Sequence, residues 1–311
     1  MKAKVSGTKK KINGTTFLLM ITILLFVVMY AAGMIVFNDK GFAKPQMFLN
    51  LFISNAGLLV IAMGETIVMI TAGIDISVGS VTALVCMVAA NQMENHGASA
   101  YTALLMALVI GLLFGLVQGF LVSYLEIQPF IVSLAGMFFG RGMTSIISTD
   151  MISIKNKTFF AWANYKIYLP IGSYSRRGKF IPAYIYPTVI IAILIFIVVL
   201  DGLLAGCGGF LFCLNSCSGF VEQAKGLEMD AISASVIGGT LLSGGVGTPF
   251  GTVFGVLIKG TISSLITTQG TLSSWWVRIA LSALLCFFIV LRALSCMTSV
   301  TCRCLFVFFL K

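Results

Sequence analysis

The chain has 311 residues, of which 59% are hydrophobic and only 10% are charged, and its mean hydropathy is +1.05. Soluble domains are roughly 45–50% apolar and about 25% charged, so this composition excludes a soluble protein. The chain has 20 Lys and Arg and 10 Asp and Glu, which gives a net charge of +10. Because the bases lie in terminal and loop segments, they indicate membrane topology rather than a nucleic-acid partner.

The residue types also limit the chemistry. His96 is the single histidine, which argues against histidine zinc sites, bis-His haem and Ser-His-Asp hydrolysis. The eight cysteines contain no pair of CxxC motifs, and we interpret them as small apolar residues of helices. The sequence also lacks a GxxxxGK[ST] motif. We therefore predict no catalytic residues, no metal site and no bound cofactor.

The first apolar run, Thr16–Phe37, follows a basic segment, residues 1–15. The run is too long for the core of a signal peptide and lacks a small-residue cleavage site, so we interpret it as a retained anchor. The positive-inside rule places the segment before it in the cytoplasm. The bases concerned are Lys2, Lys4, Lys9, Lys10 and Lys11.

Apolar runs continue along the chain and predict a single all-α, polytopic membrane domain over residues 1–311, with eight or nine spans. Some runs are shorter than the roughly 20 residues that a span needs, so we expect broken or re-entrant helices. After the first run they fall near residues 48–72, 76–92, 101–125, 128–148, 184–200, 202–221, 231–242, 249–268 and 273–292.

One long polar loop, residues 149–182, interrupts this pattern. Five spans from a cytoplasmic N-terminus place the loop outside, whereas the positive-inside rule would place its bases inside. We follow the span count, because the charge bias weakens over longer loops. The bases are Lys155, Lys157, Lys166, Arg176, Arg177 and Lys179.

Two predicted helices carry glycines at every fourth position, on one helix face, where a neighbouring backbone can approach closely. We interpret both ladders as helix-packing surfaces, and their similar contexts hint at an internal repeat of two halves. The ladders are Gly111, Gly115 and Gly119, and Gly247, Gly251 and Gly255.

Glu65 and Asp75 place two acids at or near membrane depth, where each costs roughly 2.5–3.5 kcal/mol if it faces lipid. Glycines at 73 and 79 predict a helix boundary around Asp75 and Ser77. Asp75 then has two open interpretations: a cap for the next helix or a direct role in transport. For Glu65 we expect a place on a pathway or in an interior polar network.

Further polar residues lie in or beside apolar runs: Asn55, Gln118, Gln128 and Arg141. They belong either to a translocation path or to an interior network that joins helices. Close packing around Arg141 would bury it against Glu65 or Asp75. We expect Lys259 to extend its amine to a helix end.

Three blocks of the sequence resemble the permease subunit of ribose-type ABC sugar importers, and the likeness extends over most of residues 50–292. The blocks are GIDISVGS at 73–80, IQPFIVSLAGMFFGRGM at 127–143, and LEMDAISASVIGGTLLSGGVGT at 227–248. The last continues into GTLSSWWVRIA at 270–280, and these stretches are most similar to galactofuranose-importer permeases.

The resemblance implies a transport subunit without bond chemistry in the bacterial inner membrane. Two permeases, identical or different, would pair in the lipid bilayer. A periplasmic binding protein would deliver a monosaccharide, galactofuranose or ribose-like, and separate ATPase subunits would drive transport. Glu65, Asp75, Gln118 and Arg141 would line or brace the path.

The chain departs from the resembled family near residues 200/201, where the cytoplasmic coupling segment that docks on the ATPase is missing. Asp201-Gly202 is a strong turn dipeptide, so a hairpin of two spans would survive, and the alternative is one long helix. The departure leaves two other hypotheses: a truncated permease that cannot couple to its ATPase, and a passive channel or secondary transporter.

Overall fold

The computed structural model describes residues 14–174, 180–197, 201–271, 273 and 275–297. The N-terminal bases up to Lys11, the loop bases Arg176, Arg177 and Lys179, and Cys302 and Cys304 lie outside these ranges. The chain begins with five helices: α1 (Gly14–Val36), α2 (Pro45–Ile70), α3 (Val78–Asn95), α4 (Ala100–Ser123) and α5 (Pro129–Ile147).

The polar loop at 149–182 is largely folded. It contains β1 (Ile152–Ser153), α6 (Lys157–Asn164) and β2 (Ile167–Tyr174), and β3 (Phe180–Ile185) continues past its predicted end. The Asn156 side chain starts α6 by accepting from the backbone N–H groups of Thr158 and Phe159. Strands β2 and β3 form an antiparallel hairpin, which an all-helical prediction did not include.

The second half contains shorter elements: α7 (Pro187–Ile197), α8 (Asp201–Ser216), β4 (Ser218–Gly219), α9 (Leu227–Ile237), α10 (Pro249–Gln269) and α11 (Trp275–Met297). Strand β4 pairs with β1. Proline occupies the first turn of α2, α5 and α10, where its missing N–H costs nothing.

Five of the described helices are long and apolar enough to cross a bilayer, namely α1, α2, α4, α5 and α10. The rest of the eight or nine predicted spans depend on shorter apolar helices, as expected for broken segments. Leu105, Val109 and Phe120 leave more than two fifths of their surface exposed on α4, as lipid-facing side chains do. The chain is therefore a polytopic, all-α membrane protein.

The core lies between α2, α3 and α8, where Val60, Val85 and Leu211 pack together. Helix α8 runs antiparallel to α7, because Thr188 near the start of α7 lines the same cavity as Leu211 and Leu214 near the end of α8. In one continuous helix, residues 188 and 211 would be about 35 Å apart. The long-helix alternative is therefore wrong, although residues 198–200 lie outside the described ranges.

Contacts define two ends of the bundle. At the end that carries the β2–β3 hairpin, called the β end here, the Gln46 side chain pairs with the backbone of Tyr184. There Lys40 also donates to the Thr268 carbonyl at the end of α10. At the opposite end, called the glycine end, the N–H of Gly245 donates to the carbonyl of Ile70 at the end of α2, over 2.8 Å.

Two non-helical segments interrupt the bundle, residues 71–77 between α2 and α3 and residues 217–226 between α8 and α9. Each contains an alanine with positive φ, 62° at Ala72 and 57° at Ala224, in the left-handed region that side chains rarely adopt. The segments meet where Gly79 of α3 approaches Ala224 and the carboxylate of Glu228. The first turns of α3 and α9 therefore face each other inside the bundle.

Candidate functional site

A cavity of about 460 Å³ lies between α2, α3 and α4, beside the interruption at 71–77. Four polar side chains that were predicted from the sequence line it: Glu65, Asp75, Ser77 and Gln118. Each comes from a different element or from the interruption itself. The fold therefore brings these four side chains, which are up to 53 positions apart in the sequence, to the wall of one cavity.

A chain of hydrogen bonds connects these side chains. The Gln118 Nε2 donates to Ser77 Oγ over 2.8 Å, and Ser77 Oγ donates to Asp75 Oδ1 over 2.6 Å. The backbone N–H of Asp75 in turn donates to Glu65 Oε1 over 3.3 Å. Because Ser77 both accepts and donates, it couples the amide on α4 to the carboxylate in the interruption.

The Asp75 carboxylate bonds just before the start of α3 and also lines the cavity, and the two interpretations that the sequence left open stay predictions. Its Oδ1 also accepts the backbone N–H of Ser77, the residue that immediately precedes α3, over 2.7 Å. This bond organises the entry to the helix, as a capping side chain does. The same carboxylate lines the cavity, so a structural role does not remove it from the site.

Glu65 lies deep in α2 with only 1% of its surface exposed. At membrane depth such an acid must be held by polar partners. The interruption at 71–77 supplies one, because a non-helical residue such as Asp75 has a free backbone N–H to donate. The broken helix thus explains how an acid can lie inside this bundle.

Helix α5 closes the site through a pair of small residues that the sequence analysis missed. A Cβ on Gly136 would collide with the Gln118 amide, and a Cβ on Gly140 would lie 2.7 Å from Ser80 Oγ. The two glycines are four residues apart, so they had the same signal as the predicted ladders. They let α5 approach α3 and leave room for the Gln118 side chain.

Three other candidates lie away from the cavity. Asn55 is buried and donates to Leu51 within α2, beside Gly260 of α10. Gln128 is exposed at the start of α5 and makes no capping bond. Arg141 does not meet Glu65 or Asp75, because its guanidinium donates to the backbone carbonyls of Val221 and Gln223 in the second interruption, both over 2.9 Å.

The two glycine ladders have different surroundings. Gly251 and Gly255 have no room for a Cβ, because it would collide with the carbonyls of Gly238 and Ala234 in and just after α9. By contrast, Gly111, Gly115 and Gly119 line the cavity, and a Cβ on Gly119 would meet nothing within 4 Å. Gly251 and Gly255 therefore have the tight backbone contact expected of a packing surface, whereas Gly247 lies before the start of α10. On α4, Gly111 also lies close to a neighbouring backbone, because a Cβ on Gly206 of α8 would be 3.2 Å from its Cα.

Two polar groupings that join helices escaped the sequence analysis. The hydroxyl of Thr66 contacts those of Ser235 and Thr252, at 3.0 and 2.6 Å, which joins α2, α9 and α10. Lys259 does not extend to a helix end, because it forms an ion pair of 2.9 Å with Asp230 of α9. Serine and threonine occur too widely in apolar helices to signal such a cluster from sequence.

The cavity offers carboxylate acceptors, a hydroxyl and a carboxamide on a wall that is otherwise mostly apolar. Such groups can exchange hydrogen bonds with a small, hydroxyl-rich solute without forming covalent bonds. A cavity with a few polar side chains beside an interrupted helix in a multi-pass bundle is the arrangement typical of membrane transport proteins.

The chain belongs to the family described as "Branched-chain amino acid transport system / permease component", whose model matches residues 47–198 and 186–290. It is 37% identical over 303 residues to the inner membrane ABC transporter permease protein YjfF of Escherichia coli, covering 88% of this chain and 91% of that relative.

Two further relatives carry named substrates. The fructose import permease protein FruG of Bifidobacterium longum is 26% identical over 326 residues, covering 93% of this chain and 95% of FruG. The autoinducer 2 import system permease protein LsrC of Yersinia pestis is 29% identical over 265 residues, covering 76% and 74%. No solved structure matches the chain.

Proposed function

We propose that this chain is the membrane subunit of an ABC importer for a monosaccharide of the galactofuranose or ribose type. The cavity formed by α2, α3 and α4 is part of its translocation path. The observation that carries the proposal is the chain of hydrogen bonds from Gln118 through Ser77 to Asp75 along the cavity wall. A relative with a sugar in its name, FruG, supports this substrate class.

The proposed assembly has two permease subunits in the bacterial inner membrane, two ATPase subunits and a periplasmic sugar-binding protein. With a cytoplasmic N-terminus, α1 ends at the β end, so the β end faces the periplasm and the glycine end faces the cytoplasm. The binding protein would then dock at the β end. Hydrolysis of ATP belongs to the separate ATPase chain.

Uptake of radiolabelled sugar in cells that express the whole system tests this function. Gln118→Leu removes the donor to Ser77 inside the cavity, and Gln128→Leu is its matched control on the exposed start of α5. We expect Gln118→Leu to reduce uptake about tenfold, the equivalent of one lost hydrogen bond. Equal uptake by both variants, at equal membrane levels, would place the path elsewhere.

A second candidate is a permease relative that inserts but does not couple to an ATPase. Three residues separate α7 from α8, which leaves little chain for a docking segment. The family model also matches in two pieces, which overlap at residues 186–198. In addition, 88% of this 311-residue chain is about 274 residues, so about 29 of the 303 aligned positions shared with YjfF have no counterpart in this chain.

Co-purification with the ATPase separates the two candidates. The chain as it stands is compared with a variant that carries a family-type segment inserted after Leu200. If the original chain retains the ATPase and stimulates it, other loops suffice for docking and the importer stands. If only the insertion variant does, the chain is related to permeases but cannot couple to the ATPase. Flux in liposomes without any ATPase would instead indicate a passive channel or secondary transporter.

A further inference from the structure

A second cavity, of about 590 Å³, opens near the β end between α4, α6, α7 and α8. Its wall is almost wholly apolar and includes Ile191, Phe210 and Leu214. None of the described residues that line it is charged. It shares no lining residue with the first cavity, so its ligand is not the transported solute.

Aromatic side chains with polar tips surround this second cavity. Tyr101 and Trp162 meet edge to face with ring centroids 4.7 Å apart, and both line it together with Tyr165. Tyr101 and Tyr165 leave about two thirds of their surface exposed. Tyrosine and tryptophan collect at the level of lipid headgroups, so the opening lies at the membrane surface.

Two lysines are close in the sequence to residues that line the opening. Lys157 is one helical turn before Ala161, a lining residue, so the two share a face of α6. Lys166 directly follows Tyr165, and its amine lies 4.6 Å from the ring centroid of Tyr184. Both lysines are exposed. Glu94 is the nearby acid, and its carboxylate accepts the backbone N–H groups of Lys155 and Asn156.

Helix α6 holds these features in place. Phe159 is fully buried and packs edge to face on Phe210, with centroids 5.8 Å apart. This anchor fixes the helix along the bundle with Lys157, Ala161 and Trp162 around the opening. A short amphipathic helix with a buried apolar face and a basic start lies along the membrane interface.

We propose that the second cavity binds one acyl chain of an anionic phospholipid, with the phosphate of that lipid at Lys157 and Lys166. The apolar wall excludes a sugar or a peptide with polar backbone, whereas an acyl chain needs no hydrogen bonds. The lysines attract a negative headgroup, and the rings of Tyr101 and Trp162 lie at the boundary between chain and headgroup. The proposal does not depend on the transported solute.

Quenching of Trp162 fluorescence tests the site in the full-length chain. Trp275→Phe and Trp276→Phe leave Trp162 as the one tryptophan, since the sequence has three. The chain is placed in phosphatidylcholine vesicles that contain either brominated phosphatidylcholine or brominated phosphatidylglycerol at equal mole fraction. We expect stronger quenching by the anionic lipid.

Three variants locate the bound lipid. Replacing Lys157 and Lys166 by Gln should reduce the preference for the anionic lipid about fivefold per lysine. Ala161→Phe should block the opening and reduce quenching by the anionic lipid. Thr158→Phe is its matched control, because Thr158 is exposed on α6 and does not line the cavity.

Equal quenching by the two lipids overturns the proposal, as does a preference that survives loss of both lysines or the block by Ala161→Phe. If the tryptophan replacements prevent folding, the chain with all three tryptophans is used instead. The amount of phosphatidylglycerol that co-purifies with this chain is then compared with the amount that co-purifies with its Ala161→Phe variant. Equal amounts in the two proteins would also refute the site.

Discussion

The Ser77 hydroxyl is the central member of the hydrogen-bond chain along the first cavity, because it accepts from Gln118 and donates to Asp75. A single oxygen therefore links α4 to the interruption before α3. Losing it leaves a carboxylate oxygen and an amide without this partner in a low-dielectric interior.

We predict that Ser77→Ala lowers the free energy of unfolding by about 1–3 kcal/mol and reduces uptake. Thermal unfolding in detergent and sugar uptake are the measurements. Ser80→Ala is the control, because the Ser80 hydroxyl is equally buried but bonds only within its own helix, to the Ser77 carbonyl. If both variants behave alike, the bonds of Ser77 do not matter for the site.

The sequence predicted Glu65, Asp75, Ser77 and Gln118 because polar residues in apolar runs must face the interior. It did not predict that Arg141 would turn away from the acids. The carbonyls of Val221 and Gln223 that hold it are eighty residues away in the chain. Backbone groups in an interrupted segment have no signature in residue type, so this pairing needed the three-dimensional structure.

At the scale of elements, the contact between α9 and α10 depends on glycine. A Cβ at Gly251 would overlap the Gly238 carbonyl, which is backbone and cannot rotate aside. Gly119 of α4 has a different environment, because a Cβ there would meet nothing within 4 Å. Glycines with the same four-residue spacing therefore pack differently on α4 and α10.

We predict that Gly251→Ala destabilises the protein by about 1–3 kcal/mol through overpacking. Gly119→Ala should instead be neutral or slightly stabilising, because its Cβ meets nothing and alanine favours the helix. Melting temperatures of the two purified variants measure the difference. A larger loss for Gly119→Ala would contradict the described packing.

The ion pair between Asp230 and Lys259 also joins α9 to α10. Its side chains are 30% and 19% exposed, so loss of one partner should cost less than the 3–5 kcal/mol of a fully buried pair. We predict a cost of about 1–3 kcal/mol for Asp230→Leu. Adding Lys259→Met should recover most of that loss. A double-mutant cycle on unfolding measures the coupling, and additive effects would show that the pair does not interact.

For the whole molecule, the structure places the 149–182 region, apart from its undescribed residues 175–179, at one end of the bundle. Its bases follow the span count rather than the charge rule if that end is periplasmic. Charge bias is an average over short loops, and this segment is a folded unit that contains α6, β2 and β3. Composition therefore predicted a membrane protein, but the local balance of charge could not fix the side of the loop.

We predict that Thr158→Cys at the β end reacts with a membrane-impermeant thiol reagent in intact cells. Ser243→Cys at the glycine end should react only after permeabilisation. Both residues are exposed, and both variants are made in a chain whose native cysteines are replaced. The reverse pattern would invert the molecule in the membrane and place the N-terminus outside.

The interruption at residues 71–77 has a consequence for how the chain is made. Two backbone carbonyls at or beside it accept from later parts of the sequence: Ser133 donates to the Ile74 carbonyl, and Gly245 donates to the carbonyl of Ile70, the last residue of α2. In lipid these carbonyls have no water to replace such partners. During synthesis, α2 and α3 can therefore enter the bilayer early but reach their final arrangement only after residue 245 has emerged. The arrangement around this interruption is therefore completed only with the second half of the chain.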